Sequence, residues 1–381
     1  MSPAFVLAAF LLAAPRQAPV PVVHLSRPSA VLPRDFSQIR GLRELPDGRV
    51  LVSDWTDEVV LVADLGRGTV RQIGRKGTGP REYRLPASLI PLPGDSTLLV
   101  DQGNERLAII GPDLEIVRSF SSHRQGLTHT VTPRAVDGAG RFYFEIPNWS
   151  RPGADPNDSA VVARWNPATE REEVVGRVKA ETWRKPGRRM QPGLPYVIFA
   201  PQDVWQVDPA GRIAFVRSGD YHVEWRDPDG RVMRGPRMPV VPLPVRAADR
   251  TDYVRRFMMT APVAGRGSAG MEATPAELSS PEAVARTVPN QEFAKVRPPF
   301  TDFTPRIAPD GMLWVERSVP SGGAPTFDLF DSRGVRRRSV VLPAGRRLVA
   351  VGTRGAYLAA VDDDGVERLE RYVVGGGGAT K

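Results

Sequence analysis

"PDGRVLVSD", residues 46–54, sets a tight-turn dipeptide before a short alternation of apolar residues and ends on a carboxylate. The same phrase returns with small changes as "GDSTLLVD" (94–101), "AGRFYFE" (139–145), "AGRIAFVR" (210–217) and "DGMLWVER" (310–317). Each copy reads as the middle of a hairpin: a Gly-containing turn, then the period-two alternation of a half-buried strand. After most copies come another β-rich run and another tight turn: "ADLGRG" (63–68), "GPDLE" (111–115), "NPATE" (166–170), "DPDG" (227–230) and "DSRG" (331–334). Asp and Pro set up such turns and Gly supplies the positive φ that closes them. Each repeat is therefore predicted to hold four antiparallel strands.

The spacing fixes a period. Val52 and Val100 are 48 residues apart, Gly48 and Gly140 are 92 apart over two repeats, and Gly311 and Gly355 are 44 apart. Gly140 to Gly211 (71) and Gly211 to Gly311 (100) are longer and signal insertions. Four strands at a period of about 40–50 residues are the mark of a propeller blade. The fold class predicted is all-β, a six-bladed β-propeller over 20–374, with blades near 39–84, 85–132, 133–198, 199–297, 298–345 and 346–374.

The sixth unit has only "RLVAVG", "GAYLAAV" and "VERLERYVV" before the chain ends in "GGGGATK" (375–381), read as a disordered tail. A blade short of its outer strand leaves an open edge. The β-like run "VPVVHLS" (20–26) is predicted to close it, so that an N-terminal strand completes the last blade. The insertion at 240–297 reads as partly helical. "ADRTDYVRRFMM" (248–259) places Val254, Phe257 and Met258 on one face, Thr274 and Glu277 form a capping box, and "SPEAVAR" follows the same pattern.

"KGTGPREYRLP" followed by "LLVDQGNERLAIIGPDLEIVRSF" (76–120) resembles the NHL-type repeat of six-bladed propellers, within the NHL-repeat-like and TolB-like superfamily. That pattern runs from a Gly-rich linker through an aromatic and a Pro to Val-x-Asp-x-x-Asn-x-Arg and a Gly turn; here "GPDLE" lacks the final Gly. The resemblance implies the fold far more than a function, because this scaffold hosts lyases, lactonases, scaffolding proteins and sensors.

Antiparallel order puts the connections from strand 1 to 2 and from 3 to 4 at one end of the ring, where they are tight. The other end receives the long segments 74–88, 121–132, 146–160, 179–199, 235–297 and 317–325. Specific binding is expected on that face. Aligned on the turn Gly, with Asp95 standing in for it in blade two, the repeats end strand 2 at Asp54, Asp101, Ile146, Arg217, Arg317 and Val361. Two carboxylates followed by two arginines make a polarised channel mouth; the competing reading has each side chain bonding its own loop. The ligand-binding candidates are Asp54, Asp101, Asn104, Arg106, Glu145, Trp149, Arg217 and Arg317.

Catalytic and metal sets are not evident. The chain has no Cys, which excludes disulfides, thiolate sites, cysteine nucleophiles and a lipoprotein anchor. There is no Gly-x-Ser-x-Gly elbow and no Walker or dinucleotide loop. The four His (24, 123, 129 and 222) supply no zinc set, whereas calcium through Asp54, Asp101 and Glu145 stays open because carboxylate cages leave no spacing signature. The formal charge is +9, but the basic residues are scattered and lack interleaved aromatics, which argues against nucleic acid as partner. "PAFVLAAFLLAA" (3–14) has signal-peptide length and is too short to span a bilayer, so 1–18 is read as an export signal, periplasmic or extracellular. The expected function is a non-catalytic, monomeric binding propeller for a small molecule, glycan or protein. The alternative is a divalent-metal hydrolase, lactonase or lyase with its site at the central channel.

Overall fold

The computed structural model describes residues 20–123, 132–147, 159–179, 197–260, 280–362 and 364–375. The chain is a six-bladed β-propeller. Blade one is Ile39–Glu44, Val50–Asp54, Val59–Asp64 and Thr69–Ile73; blade two is Pro86–Pro91, Thr97–Asp101, Arg106–Ile110 and Ile116–Ser121. Blade three is Ala135–Val136, Phe142–Ile146, Ala160–Asn166 and Arg171–Val178; blade four is Val204–Val207, Ile213–Arg217, His222–Arg226 and Val232–Arg234. Blade five is Arg306–Ile307, Leu313–Arg317, Thr326–Phe330 and Arg336–Val341, and blade six begins with Arg346–Gly352, Gly355–Val361 and Glu367–Tyr372. Within every blade the neighbours pair antiparallel, as in Val52↔Leu61 and Leu42↔Val52 of blade one.

The second strands are apolar at successive positions because both faces of each sheet are buried. In "VLV" of blade one, Val50 and Val52 pack toward blade six and Leu51 toward blade two, and all three are fully buried. Period-two alternation sends neighbours to opposite sides of the sheet. One such cluster fills each of the interfaces two–three, three–four, four–five and five–six as well, so the ring is closed. Full burial of each such side chain is worth about 1.5–3 kcal/mol.

The turns behave as the repeated phrase requires. Gly48, Gly140, Gly211 and Gly311 hold φ between 74° and 87°, and Asp95, which stands in their place in blade two, adopts φ 57°. Asn and Asp tolerate this left-handed region better than other side chains.

Closure differs from the expectation in the residues that perform it. An N-terminal strand does complete blade six, but it is Ala30–Phe36, antiparallel to Glu367–Tyr372, and not the run 20–26. Leu32 and Phe36 drive this choice: both are buried in the interface between blades six and one. Pro33 is tolerated because an outer strand needs no donor on its free side. Val22–His24 instead lies parallel to Arg336–Val341 as a fifth strand outside blade five.

The insertion forms a small layer of its own. Helix α1 (Ala247–Thr260) and helix α2 (Pro281–Thr287) enclose Ile198, Val254 and Val284, with Phe199, Tyr253, Phe257 and Phe293 packed around them. Ser280 caps α2, its Oγ accepting from the Ala283 amide at 3.3 Å. Asp249 of α1 accepts from the Ser321 amide at 2.8 Å and pairs with Arg297 at 2.7 Å, which fastens the insertion to the loop leaving the second strand of blade five. The capping box at Thr274 and Glu277 lies outside the described residues.

Candidate functional site

Asp54, Asp101, Ile146, Arg217, Arg317 and Val361 each end the second strand of their blade. Their side chains are spent on the scaffold. Asp54 is 1% exposed and accepts from the amides of Ser37 (2.7 Å), Thr56 (3.0 Å), Asp57 (3.1 Å) and Gln38 (3.2 Å). Burial raises its pKa while these amides pull it down. Asp101 accepts from the Arg84 amide (2.8 Å), Asn104 Nδ2 (2.8 Å) and Arg106 Nε (2.7 Å). Asn104 donates on to the Gly77 carbonyl, and Arg106 to those of Thr78, Gly79 and Glu82. The Asp-x-x-Asn-x-Arg motif is thus a clamp on the segment crossing from blade one to blade two.

Glu145 joins blade three to blade four, accepting from Trp205 Nε1 at 2.9 Å and pairing with Arg134 at 3.0 Å. Arg217 pairs with Asp203 (3.0 Å) and Glu224 (3.2 Å) and covers the Phe215 ring at 4.6 Å. Arg317 pairs with Asp328, which has no exposure and also receives Tyr221 Oη and Ser339 Oγ, each at 2.8 Å. Burial works against the Asp328 carboxylate, but Arg317 and the two hydroxyls hold it below its ordinary range. Trp149 lies outside the described residues.

The structure does not gather these residues into one site. Asp54, Asp101 and Glu145 belong to different blades, and among the described residues no three acidic or His side chains are placed to share a metal ion. His123 pairs with Glu105 at 2.7 Å, and Asp362 closes its hairpin by accepting from the Asp364 and Val366 amides.

A different group lies at the channel. Phe300 bridges to Arg317, and the Thr301 amide donates to the Glu316 carbonyl at 2.9 Å, whereas Arg306 pairs with Trp314. From Phe300 to Arg306 the chain takes six steps against three on its partner, so "DFTP" (302–305) bulges from the inner strand of blade five. An inner strand borders the central channel. Gln206 of blade four's inner strand donates to the Pro305 carbonyl at 3.2 Å, and Arg306 Nε reaches Val349 O of blade six's inner strand at 3.4 Å. The bulge therefore sits among three inner strands. Phe303 at its tip is 66% exposed.

Arg306 and Glu316 share one face of blade five, because Arg306 stands opposite Trp314 and Glu316 follows two positions on. Trp314 packs in the interface with blade six, so both charges turn that way. Burial pushes the Glu316 carboxyl up to about 7; Asp302 adds to the rise, and Arg256 of α1, Thr301 and Arg306 oppose it. Burial also raises Asp302, although its surface is reached by solvent: protein crowds it from most sides, as on a channel wall. Arg306 is lowered by burial and then by Arg347, and Arg40 is lowered to about 10 by burial and by the same Arg347. Arg347 is spent on Glu367 and on the Ile39 carbonyl at 2.7 Å. Among the described residues Asp302, Glu316 and Arg306 make no ion pair. Arg306 spends Nε and one terminal nitrogen on the carbonyls of Val349 and Thr304, which leaves the other terminal nitrogen without a protein partner.

Sequence reasoning missed this group. Glu316 precedes Arg317, the position singled out by the repeat, and so points to the opposite side of the sheet. Asp302 and Phe303 sit where the repeat's period is broken. The one available signal was length, since the stretch between Pro299 and Arg306 is too long to pair with its neighbour without a bulge.

No family model matches the sequence, and no curated protein matches it. Solved structures are similar in shape. A member of the DUF4221 family from Bacteroides vulgatus aligns with TM-score 0.50 and 8% identity, over 91% of this chain and 96% of that one. The calcium-binding protein regucalcin from Agrobacterium tumefaciens aligns at 0.45 and 10%, over 93% and 97%. A gluconolactonase from Xanthomonas campestris aligns at 0.45 and 11%, over 93% and 97%. Identities this low speak to fold alone, and what the chain resembles in these structures is the six-bladed β-propeller itself.

Proposed function

We propose that this chain is an exported, monomeric binding propeller that takes a small molecule at the channel mouth between blades five and six. One observation carries the reading: the charges singled out in the sequence are consumed by the scaffold, while Asp302, Glu316 and Arg306 crowd the channel without an ion pair among the described residues. Uncompensated charge in a crowded, partly desolvated place costs stability and is characteristic of sites kept for a ligand. Phe303 adds an exposed aromatic surface beside them. Arg256 of α1, paired with Asp252, lies near enough to favour the Glu316 carboxylate from the insertion. Export rests on the apolar run at 3–14, which lies outside the described residues; among those described, no helix is long and apolar enough to cross a membrane.

A second reading, general acid–base catalysis, draws on Glu316, whose carboxyl near 7 can hold or release a proton at neutral pH. A thermal-shift screen of a broad small-molecule set tests the binding reading. Hits should disappear in the Asp302→Asn, Glu316→Gln double variant and persist in Arg231→Ala, an exposed substitution on the tight-turn face. No hits, or hits indifferent to the double variant, refute it. Turnover of a hit by the wild type, lost in Glu316→Gln, would favour the enzyme instead.

A further inference from the structure

Resting on that binding reading, we propose that the mouth between blades five and six recognises a small zwitterion, one that carries an ammonium and a carboxylate and lays an apolar group on Phe303. The site offers both signs of charge. Glu316 and Asp302 present two carboxylates, and Arg306, on the same face of blade five as Glu316, presents a terminal nitrogen with no protein partner. The Thr301 hydroxyl lies beside Glu316 and favours its charged form. A buried donor or acceptor left unpaired costs more than a formed bond returns.

That asymmetry selects the ligand class. A plain amine would satisfy the carboxylates and leave the Arg306 guanidinium enclosed and unpaired. A plain carboxylic acid would satisfy Arg306 and lie against two carboxylates. A molecule bearing both groups answers all three side chains, and the guanidinium fork suits a carboxylate geometrically. Arg256 of α1 favours the Glu316 carboxylate from the insertion while its own guanidinium is tied to Asp252, so a cation on the solvent side of Glu316 is compatible with the surroundings. Phe303, 66% exposed at the tip of the bulge, supplies the apolar contact.

Titration calorimetry on the full chain at about pH 8, where Glu316 is ionised, tests this with three probes: L-phenylalanine, 2-phenylethylamine and 3-phenylpropionate. L-Phenylalanine should bind at least about tenfold tighter than either truncated probe, the loss expected when a charged hydrogen-bonding partner is removed. Arg306→Gln should erase its advantage over the amine, and Glu316→Gln its advantage over the acid. Should either variant fail to fold by circular dichroism, Arg306→Lys or Glu316→Asp replaces it, each expected to shrink the same advantage. A truncated probe binding as tightly as L-phenylalanine, or preferences that survive the substitutions, overturns the proposal. If all three probes fail while the screen finds another small molecule lost in the double variant, the zwitterion inference falls and the binding reading stands. If no small molecule binds, both fall.

Discussion

Replacing Glu316 by Gln removes a charge that the fold holds at a cost, and that cost depends on pH in a calculable direction. The carboxyl rises from 4.5 to about 7 in the folded chain, chiefly through burial. The folded state therefore keeps its proton to higher pH than the unfolded state does. The associated stability is fully present below the unfolded value and is lost as pH rises through the folded value, so the penalty is complete above about pH 8. A shift of this size corresponds to at most ~3 kcal/mol at 1.36 kcal/mol per unit, and water at the mouth reduces it to about 1–2 kcal/mol. Gln keeps the shape and stays neutral at every pH. By scanning calorimetry, Glu316→Gln should melt about 1–3 °C above the wild type at pH 8.5, with the difference shrinking toward pH 5. Asp302 responds in the same sense and is coupled to Glu316, so the measured difference includes the relief of repulsion between the two carboxylates. A variant that melts lower than the wild type at pH 8.5, or a difference that does not change with pH, would refute the reasoning, because it would mean that the carboxylate is stabilised by partners inside the fold.

The scaffold makes its own predictions. Asp328→Ala strands Arg317, Arg336 and Tyr221 without their shared acceptor and should cost about 3–5 kcal/mol in denaturant unfolding, the scale for breaking a buried pair. Arg106→Ala releases the Asp101 ion pair and the carbonyls of Gly79 and Glu82; a loss of about 2–3 kcal/mol is expected, with faster proteolysis of segment 77–84. Leu32→Ala in the strand that completes blade six should cost about 2–5 kcal/mol. Deleting residues 20–24, which keeps the buried Leu25, should cost less than Leu32→Ala, since Val22–His24 is a three-residue outer strand; the reverse order of melting temperatures would contradict the assignment of the closing strand.

The architecture was readable because a propeller repeats one local solution. "PDGRVLVSD" already contains the left-handed Gly, the doubly buried second strand and the carboxylate that ends it. Alignment on that Gly located the last residue of every second strand. What the alignment could not supply was the job of those residues. Asp54 and Asp101 end their strands beside backbone amides that would otherwise lack acceptors, and a buried amide claims the nearest carboxylate. The closing strand was misplaced because "VPVVHLS" has the smoother β pattern, while "AVLPRDF" sets its Pro beside two charges in mid-strand; burial of Leu32 and Phe36 outweighed pattern. The mouth was illegible for a third reason. Glu316 differs from Arg317 by half a strand period, and Asp302 and Phe303 occupy a bulge whose existence depends on pairing across sixteen residues of intervening chain. A repeat shows what its copies share, and a binding site lies in what one copy does alone. The price of Asp302 and Glu316, raised by burial without an ion pair among the described residues, is consistent with the common trade of stability for function.

The most direct test is a diffraction map of crystals soaked with L-phenylalanine near pH 8. The account predicts density at the channel mouth, its amine within hydrogen-bond distance of Glu316, its carboxylate on Arg306 and its ring against Phe303. A map with the mouth filled by the protein's own side chains, or with the soaked molecule bound elsewhere, would contradict it.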